Sequence, residues 1–186
     1  METYIDLSLS GYGKLPLSRE FLLLDCRKGP PLIFQYFIDK AAPWILKSKQ
    51  GGAPIKICTI LPRVHRMLFA SIWSSKDEGG MRAYPFSYFT EMEKQGFPAD
   101  PPGFWTRFQP IYADLERLYQ GSHPLTNREE LERYLALDNK KVAAPLGERD
   151  AQERFQREAS AISVNDWAAG AFGETMEAFT VGLWRL

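Results

Sequence analysis

Ile55-Lys56-Ile57-Cys58-Thr59-Ile60-Leu61 and Met67-Leu68-Phe69-Ala70-Ser71-Ile72-Trp73 are the two runs whose reading decides the fold. The first is rich in β-branched residues, and the second is apolar at nearly every position. Runs apolar on both sides suit central strands covered by helices on both faces. The connection between them, Pro62-Arg63-Val64-His65-Arg66, is short enough for a hairpin. A third run, Tyr84 to Thr90, contains Pro85. Proline can open a strand or sit on an edge, but it cannot hold an interior ladder position freely.

On the N-terminal side, residues 2–8 alternate loosely and read as an edge strand. Gly11-Tyr12-Gly13-Lys14-Leu15-Pro16 reads as a turn, with two glycines that allow positive φ. Glu20 to Asp25 encloses the apolar run Phe21-Leu22-Leu23-Leu24, which fits a strand or a helix start. From Pro31 the period becomes helical: Phe34, Phe37, Ile38, Ala41 and Ile45 share one face. Pro43 lies inside that stretch, so the helix is expected to kink or to end near Ala42. Gln50-Gly51-Gly52-Ala53-Pro54 is a loop.

The C-terminal half reads as helical. Phe104, Phe108, Ile111, Leu115 and Leu118 recur at helical spacing, and Pro110 predicts a break or a helix start within them. Thr126-Asn127-Arg128-Glu129 has the spacing of a capping box. Residues 148–161 are polar, and a final helix is expected from Ser163, with Ala168, Phe172, Met176, Phe179 and Leu183 as its stripe. Strands first, one helix among them, then helices: this order predicts a three-layer αβα sandwich with a mixed, largely antiparallel central sheet, in a single domain over 1–186. Ile57, Ile60, Phe69, Ile72, Phe108, Leu115, Phe172 and Met176 are the expected core.

Composition narrows the function classes. With 186 residues, 45% hydrophobic and 25% charged, the chain can bury a core without staples. Lys+Arg and Asp+Glu are both 23, without the basic excess of a nucleic-acid binder. Residues 1–95 carry 13 Lys or Arg against 9 Asp or Glu, and residues 96–186 carry 10 against 14. That asymmetry reads either as two differently solvated faces or as a patch that steers a protein partner. Cys26 and Cys58 make no disulfide framework. No signal peptide and no membrane span is read, so a cytoplasmic protein without direct membrane insertion is expected.

The search for catalytic motifs is mostly negative. His65 and His123 are the two histidines, in no metal-binding or metalloprotease spacing. Gly11-Tyr12-Gly13-Lys14 lacks the rest of a phosphate loop, and no nucleophile elbow occurs. No cofactor is implied. The most unusual stretch is Ser74-Ser75-Lys76-Asp77-Glu78-Gly79-Gly80-Met81-Arg82-Ala83-Tyr84-Pro85-Phe86. Asp77 and Arg82 could bridge across it, and Ser75 could accept main-chain hydrogen bonds in the turn. It reads as an internally satisfied loop, as a partner-facing loop, or as the seat of a nucleophilic Ser75.

Two of these segments resemble the TagF/ImpM proteins associated with bacterial type VI secretion. Gly13-Lys14-Leu15-Pro16 followed by Glu20-Phe21 is similar to the family's Gly-Lys-Leu-Pro…Gly-Asp-Phe opening. Ala53-Pro54 precedes a strand, as in the family. Ser75, Asp77 and Gly80 keep a Ser-x-Asp-x-x-Gly spacing, Arg82 follows one residue late, and Tyr84-Pro85-Phe86 matches the aromatic-Pro end. Arg19 and Ser74 depart from the family pattern. The resemblance covers residues 10–120. It implies a three-layer α/β sandwich, a cytoplasmic non-enzymatic role as post-translational repressor of type VI secretion, and an FHA-domain scaffold protein of that apparatus as partner. Gly13, Lys14, Leu15, Pro16, Phe21, Ser75, Asp77, Gly80, Arg82 and Pro85 are the partner-binding candidates, with Lys14 and Arg82 the charged residues expected to touch a partner. The alternatives are a general assembly or trafficking adaptor, and a small hydrolase using Ser75, Asp77 and Arg82 with a distant histidine.

Overall fold

The computed structural model describes residues 4–5, 9–26, 29–47, 54–61, 66–93, 101–139, 142–143, 145 and 150. The elements are β1 (Tyr4–Ile5), β2 (Leu9–Gly13), β3 (Leu22–Leu24), α1 (Pro30–Lys47), β4 (Ile55–Leu61), β5 (Arg66–Trp73), β6 (Phe86–Glu93), α2 (Pro101–Ser122), α3 (Arg128–Tyr134), a π-helical turn (Leu135–Asn139) and β7 (Val142–Ala143). The main sheet runs β3-β2-β6-β5-β4, and β1 pairs with β7 apart from it. Every pairing among these strands is antiparallel, which sharpens the expected mixed sheet.

β5 explains the layers. Its side chains alternate across the sheet. Met67, Phe69 and Trp73 join the cluster that holds Phe108, Ile111, Tyr112, Leu115 and Leu118 of α2. Leu68, Ala70 and Ile72 join Phe34, Ile38 and Ile45 of α1 on the other face. Phe69 lies 4.8 Å from the Phe108 ring, and the expected core residues Phe69, Ile72, Phe108 and Leu115 are all fully buried. The protein is thus an αβα sandwich, with a helix on each face of one sheet.

Several expectations are corrected. The strands pair with Leu61 opposite Arg66 and Ile55 opposite Ile72, but among the described strands β4 lies at the edge of the sheet, not at its centre. Apolarity on both faces reports cover by two helical layers, not hydrogen-bonding neighbours on both sides. Ile57 is accordingly only partly buried. Gly11-Tyr12-Gly13 is not a turn. It is the end of an interior strand, paired with β3 on one side and β6 on the other. The run 22–24 is a strand, and Pro85 sits just ahead of β6, where no ladder amide is needed.

Both interior prolines lie within continuous helices. Asp39 and Pro43 are exposed, so solvent can take the carbonyl that Pro43 leaves without its amide. Around Pro110, full burial of Phe108, Ile111, Tyr112 and Leu115 offsets the interior proline, which costs about 3 kcal/mol. The cap of α3 is one residue later than expected. The Asn127 side chain accepts from the Glu130 amide at 2.9 Å, and the Glu130 carboxylate accepts from the Thr126 amide at 2.9 Å. The expected final helix from Ser163, with Phe172 and Met176, lies outside the described residues, as does the Ile60 side chain.

Candidate functional site

The two segments that carry the family-like motifs are far apart in sequence and meet at one end of the sheet. The first link is Gly13, the last residue of β2. Its φ of +128° lies in the region that favours glycine, and a Cβ there would stand 2.0 Å from the Pro85 carbonyl oxygen. The Lys14 amide donates to that same oxygen at 3.3 Å. Leu15 then drops into the α2-side core, fully buried. Pro16 is half-buried at the start of a turn closed by the Ser18 amide on the Leu15 carbonyl, 3.2 Å.

Lys14 is buried, at 3% exposure. Its Nζ donates to the Arg19 carbonyl at 2.5 Å and lies 4.7 Å from the centre of the Phe21 ring. This corrects its expected place at a partner contact. The ammonium holds the 14–21 turn together through a charge-assisted hydrogen bond and a cation–π contact.

The second segment is built around Asp77, which is 6% exposed. One carboxylate oxygen accepts from the amides of Met81 at 3.0 Å and Arg82 at 3.2 Å. The Asp77 amide donates to the Arg82 carbonyl at 3.1 Å, and the Gly80 amide to the Asp77 carbonyl at 2.8 Å. Gly80 takes a φ of +66° at the tip. Burial opposes ionisation of Asp77, but the Arg82 and Met81 amides, with the charges of Lys14 and Arg82, outweigh it and hold the carboxyl below its usual range. The expected Asp77–Arg82 side-chain bridge therefore gives way to main-chain bonds. The Arg82 side chain is exposed and makes no ion pair among the described residues. The Tyr84 amide closes the loop on the Ser75 carbonyl at 3.0 Å, and the Glu78 amide joins it to the first segment through the Ser18 carbonyl at 3.2 Å.

Sequence reasoning missed what lies beside this junction. Tyr12 donates its hydroxyl to an Asp39 carboxylate oxygen at 2.6 Å, and Tyr84 donates to the same oxygen. Phe21 stacks on Tyr12 with ring centres 5.8 Å apart, and meets Tyr84 edge-on at 4.8 Å. Burial and the Asp39 contact push both hydroxyls up, so they stay protonated donors. This cluster ties α1 to the same end of the sheet. The sequence signal for it is that Phe21 is a motif residue and that Tyr12 and Tyr84 adjoin the motif residues Gly13 and Pro85.

The Ser75 hydroxyl is buried, and its oxygen makes no hydrogen bond of good geometry. Burial raises the Tyr119 hydroxyl, and the nearby Ser75 side chain partly offsets this. Tyr119 stacks flat on Trp73 at 4.0 Å and meets the exposed His123 ring edge-on at 5.6 Å. His123 thus packs on Tyr119 and does not hydrogen-bond Ser75, and His65 lies outside the described residues. Cys26 and Cys58 are free and buried, and burial pushes both thiols up, Cys26 to about 11. Among the described residues no cluster of three His, Cys, Asp or Glu could hold a metal, and no helix is long and apolar enough to cross a membrane.

No family model and no curated protein matches the chain. Among solved structures it is similar to PA0076 from Pseudomonas aeruginosa PAO1. The two share 17% identity over 81% of this chain and 78% of that one, with a TM-score of 0.47.

Proposed function

We propose that this chain is a cytoplasmic, non-enzymatic regulator that represses bacterial type VI secretion after translation by binding another protein, as the resemblance to TagF/ImpM implies. The observation that carries the reading is the convergence of the two motif segments, Gly13 against Pro85 and Glu78 onto Ser18. Residues shared with the family motif serve to shape one surface. Gly13, Lys14, Asp77 and Gly80 fix main-chain geometry, and Phe21 and Arg82 reach solvent beside them. An FHA-domain scaffold protein of the type VI apparatus is the partner the resemblance suggests.

A general adaptor is the second reading. It draws on Leu32, Ile33, Tyr36 and Trp44, which α1 leaves exposed at 48%, 58%, 64% and 58%. Such residues suit protein contact without specifying a secretion system. Deleting the gene in its host and overexpressing it separate the two readings. The repressor reading expects more type VI effector in the medium on deletion and less on overexpression, at constant effector transcript. Unchanged secretion in both strains leaves the adaptor.

A further inference from the structure

The two helical layers are finished differently. On one face of the sheet α3 closes over α2, with Leu131 and Leu135 in the same buried cluster as Ile111, Leu115 and Leu118. Of the described helices, α1 alone contributes to the cluster on the other face. Yet Leu32, Ile33, Tyr36 and Trp44, half of the large hydrophobic side chains exposed in the described residues, also lie on α1. At about 100° per residue, Leu32, Ile33, Tyr36, Lys40, Trp44 and Lys47 share one arc of about 120°, opposite the buried Phe34, Ile38 and Ile45. A helix apolar on both faces is built to be covered on both.

The charges in that arc are those of Lys40 and Lys47, and neither forms an ion pair among the described residues. Asp39, at its margin, accepts from the Tyr12 and Tyr84 hydroxyls, and with it counted α1 still carries one net positive charge. A second copy of the chain seated here would set lysine against lysine. Residues 163–186 have the complementary properties. They carry Asp166, Glu174 and Glu177 against Arg185, and a helix there would present the stripe of Ala168, Phe172, Met176, Phe179 and Leu183. Gly170, Gly173 and Gly182 make such a helix marginal alone, so its stability must come from packing. Residues 163–186 would measure about 36 Å as a helix, enough to run the length of α1, whose 18 residues measure about 27 Å. The stretch from the exposed Asp150 to Ser163 reaches about 43 Å when extended, beyond the roughly 30 Å diameter of a small domain, so the segment can arrive at either face.

We propose that residues 163–186 of this chain form a helix that covers the outer arc of α1, with Phe172, Met176 and Phe179 set against Tyr36 and Trp44. The inference is independent of the secretion reading, and it assigns the exposed side of α1 to the chain itself, ahead of any adaptor partner.

The test uses the full chain. A photocrosslinking amino acid replaces Tyr36 or, as control, the exposed Leu137, in an equal mixture of unlabelled and 15N-labelled protein. The expected product joins position 36 to a peptide within 163–186 of the same isotope label, and position 137 gives none. Adducts that mix the labels would seat a second copy on α1 and overturn the proposal, as would the absence of any adduct between 36 and 163–186. Amide hydrogen exchange supplies a second readout. Residues 163–186 should be protected in the wild type and exchange at least about tenfold faster in Y36D and W44D, while β5 amides keep their protection and L137D changes nothing. Exchange in 163–186 that is as fast in the wild type as in both variants overturns the proposal. Should a variant also lose protection in β5, the crosslink alone decides.

Discussion

The middle of the sheet and its motif-bearing end are held by different physics. In the middle, β5 lies between two helices, and its stability comes from volume: Met67, Phe69 and Trp73 toward α2, Leu68, Ala70 and Ile72 toward α1. At the end, Gly13, Lys14, Asp77 and Pro85 are held by main-chain hydrogen bonds and one left-handed backbone position. The first region asks each residue to be apolar and of the right size. The second asks for particular atoms in particular places. A protein that presents a fixed surface needs the second kind of region mounted on the first.

That contrast can be broken at either end. The largest effect is expected from Phe69→Ala, which empties a site between Phe108 and Tyr112 and should cost about 3–5 kcal/mol in denaturant unfolding. An unchanged midpoint would refute the central place of β5. Gly13→Ala comes next, at about 3 kcal/mol, since it meets both the Pro85 carbonyl and an unfavourable φ. A tolerated alanine there would dissolve the junction of the two segments. Asn127→Ala should cost about 1 kcal/mol by removing the cap on the Glu130 amide, whereas Thr126→Ala should cost less.

A smaller, pH-dependent effect isolates the charge on Asp77. Its carboxyl is held below the usual range when folded, so its charge stabilises the fold above the ordinary carboxylate pKa. That contribution is lost as pH falls through the lowered value. Asp77→Asn should therefore be less stable than wild type at neutral pH and converge with it in acid. A gap that persists at low pH would assign the effect to shape, not charge. Arg82→Ala, finally, should leave stability within about 0.5 kcal/mol, because its side chain is exposed, its charge reaches Asp77 only through solvent-screened attraction, and its main-chain bonds remain.

How much of this the sequence revealed follows the same division. The buried stripes of α1 and α2 were legible because Phe34 and Ile38, or Phe108, Ile111 and Leu115, repeat at the period of the helix that buries them. The two-faced apolarity of β5 was legible because its run is apolar at nearly every position. The edge position of β4 was not, because hydrophobicity reports cover by helices and is blind to which strand lies alongside. At the α3 cap, Thr126…Glu129 and Asn127…Glu130 both satisfy the spacing, and only the geometry chooses the later pair. Lys14 read as a surface cation because lysine is rarely buried, and its partners, the Arg19 carbonyl and the Phe21 ring, exist only once the turn has closed. Asp39 carried no signal, since its tyrosine donors come from β2 and the end of the 75–84 loop.

Amide hydrogen exchange at Met81 and Arg82 in the full chain tests most directly whether the motif serves to hold a fixed surface. Both amides donate to the Asp77 carboxylate, so both should be protected in the wild type and lose that protection in Asp77→Ala while β5 amides keep theirs. Met81 and Arg82 amides that exchange in the wild type as fast as an unstructured peptide would contradict it.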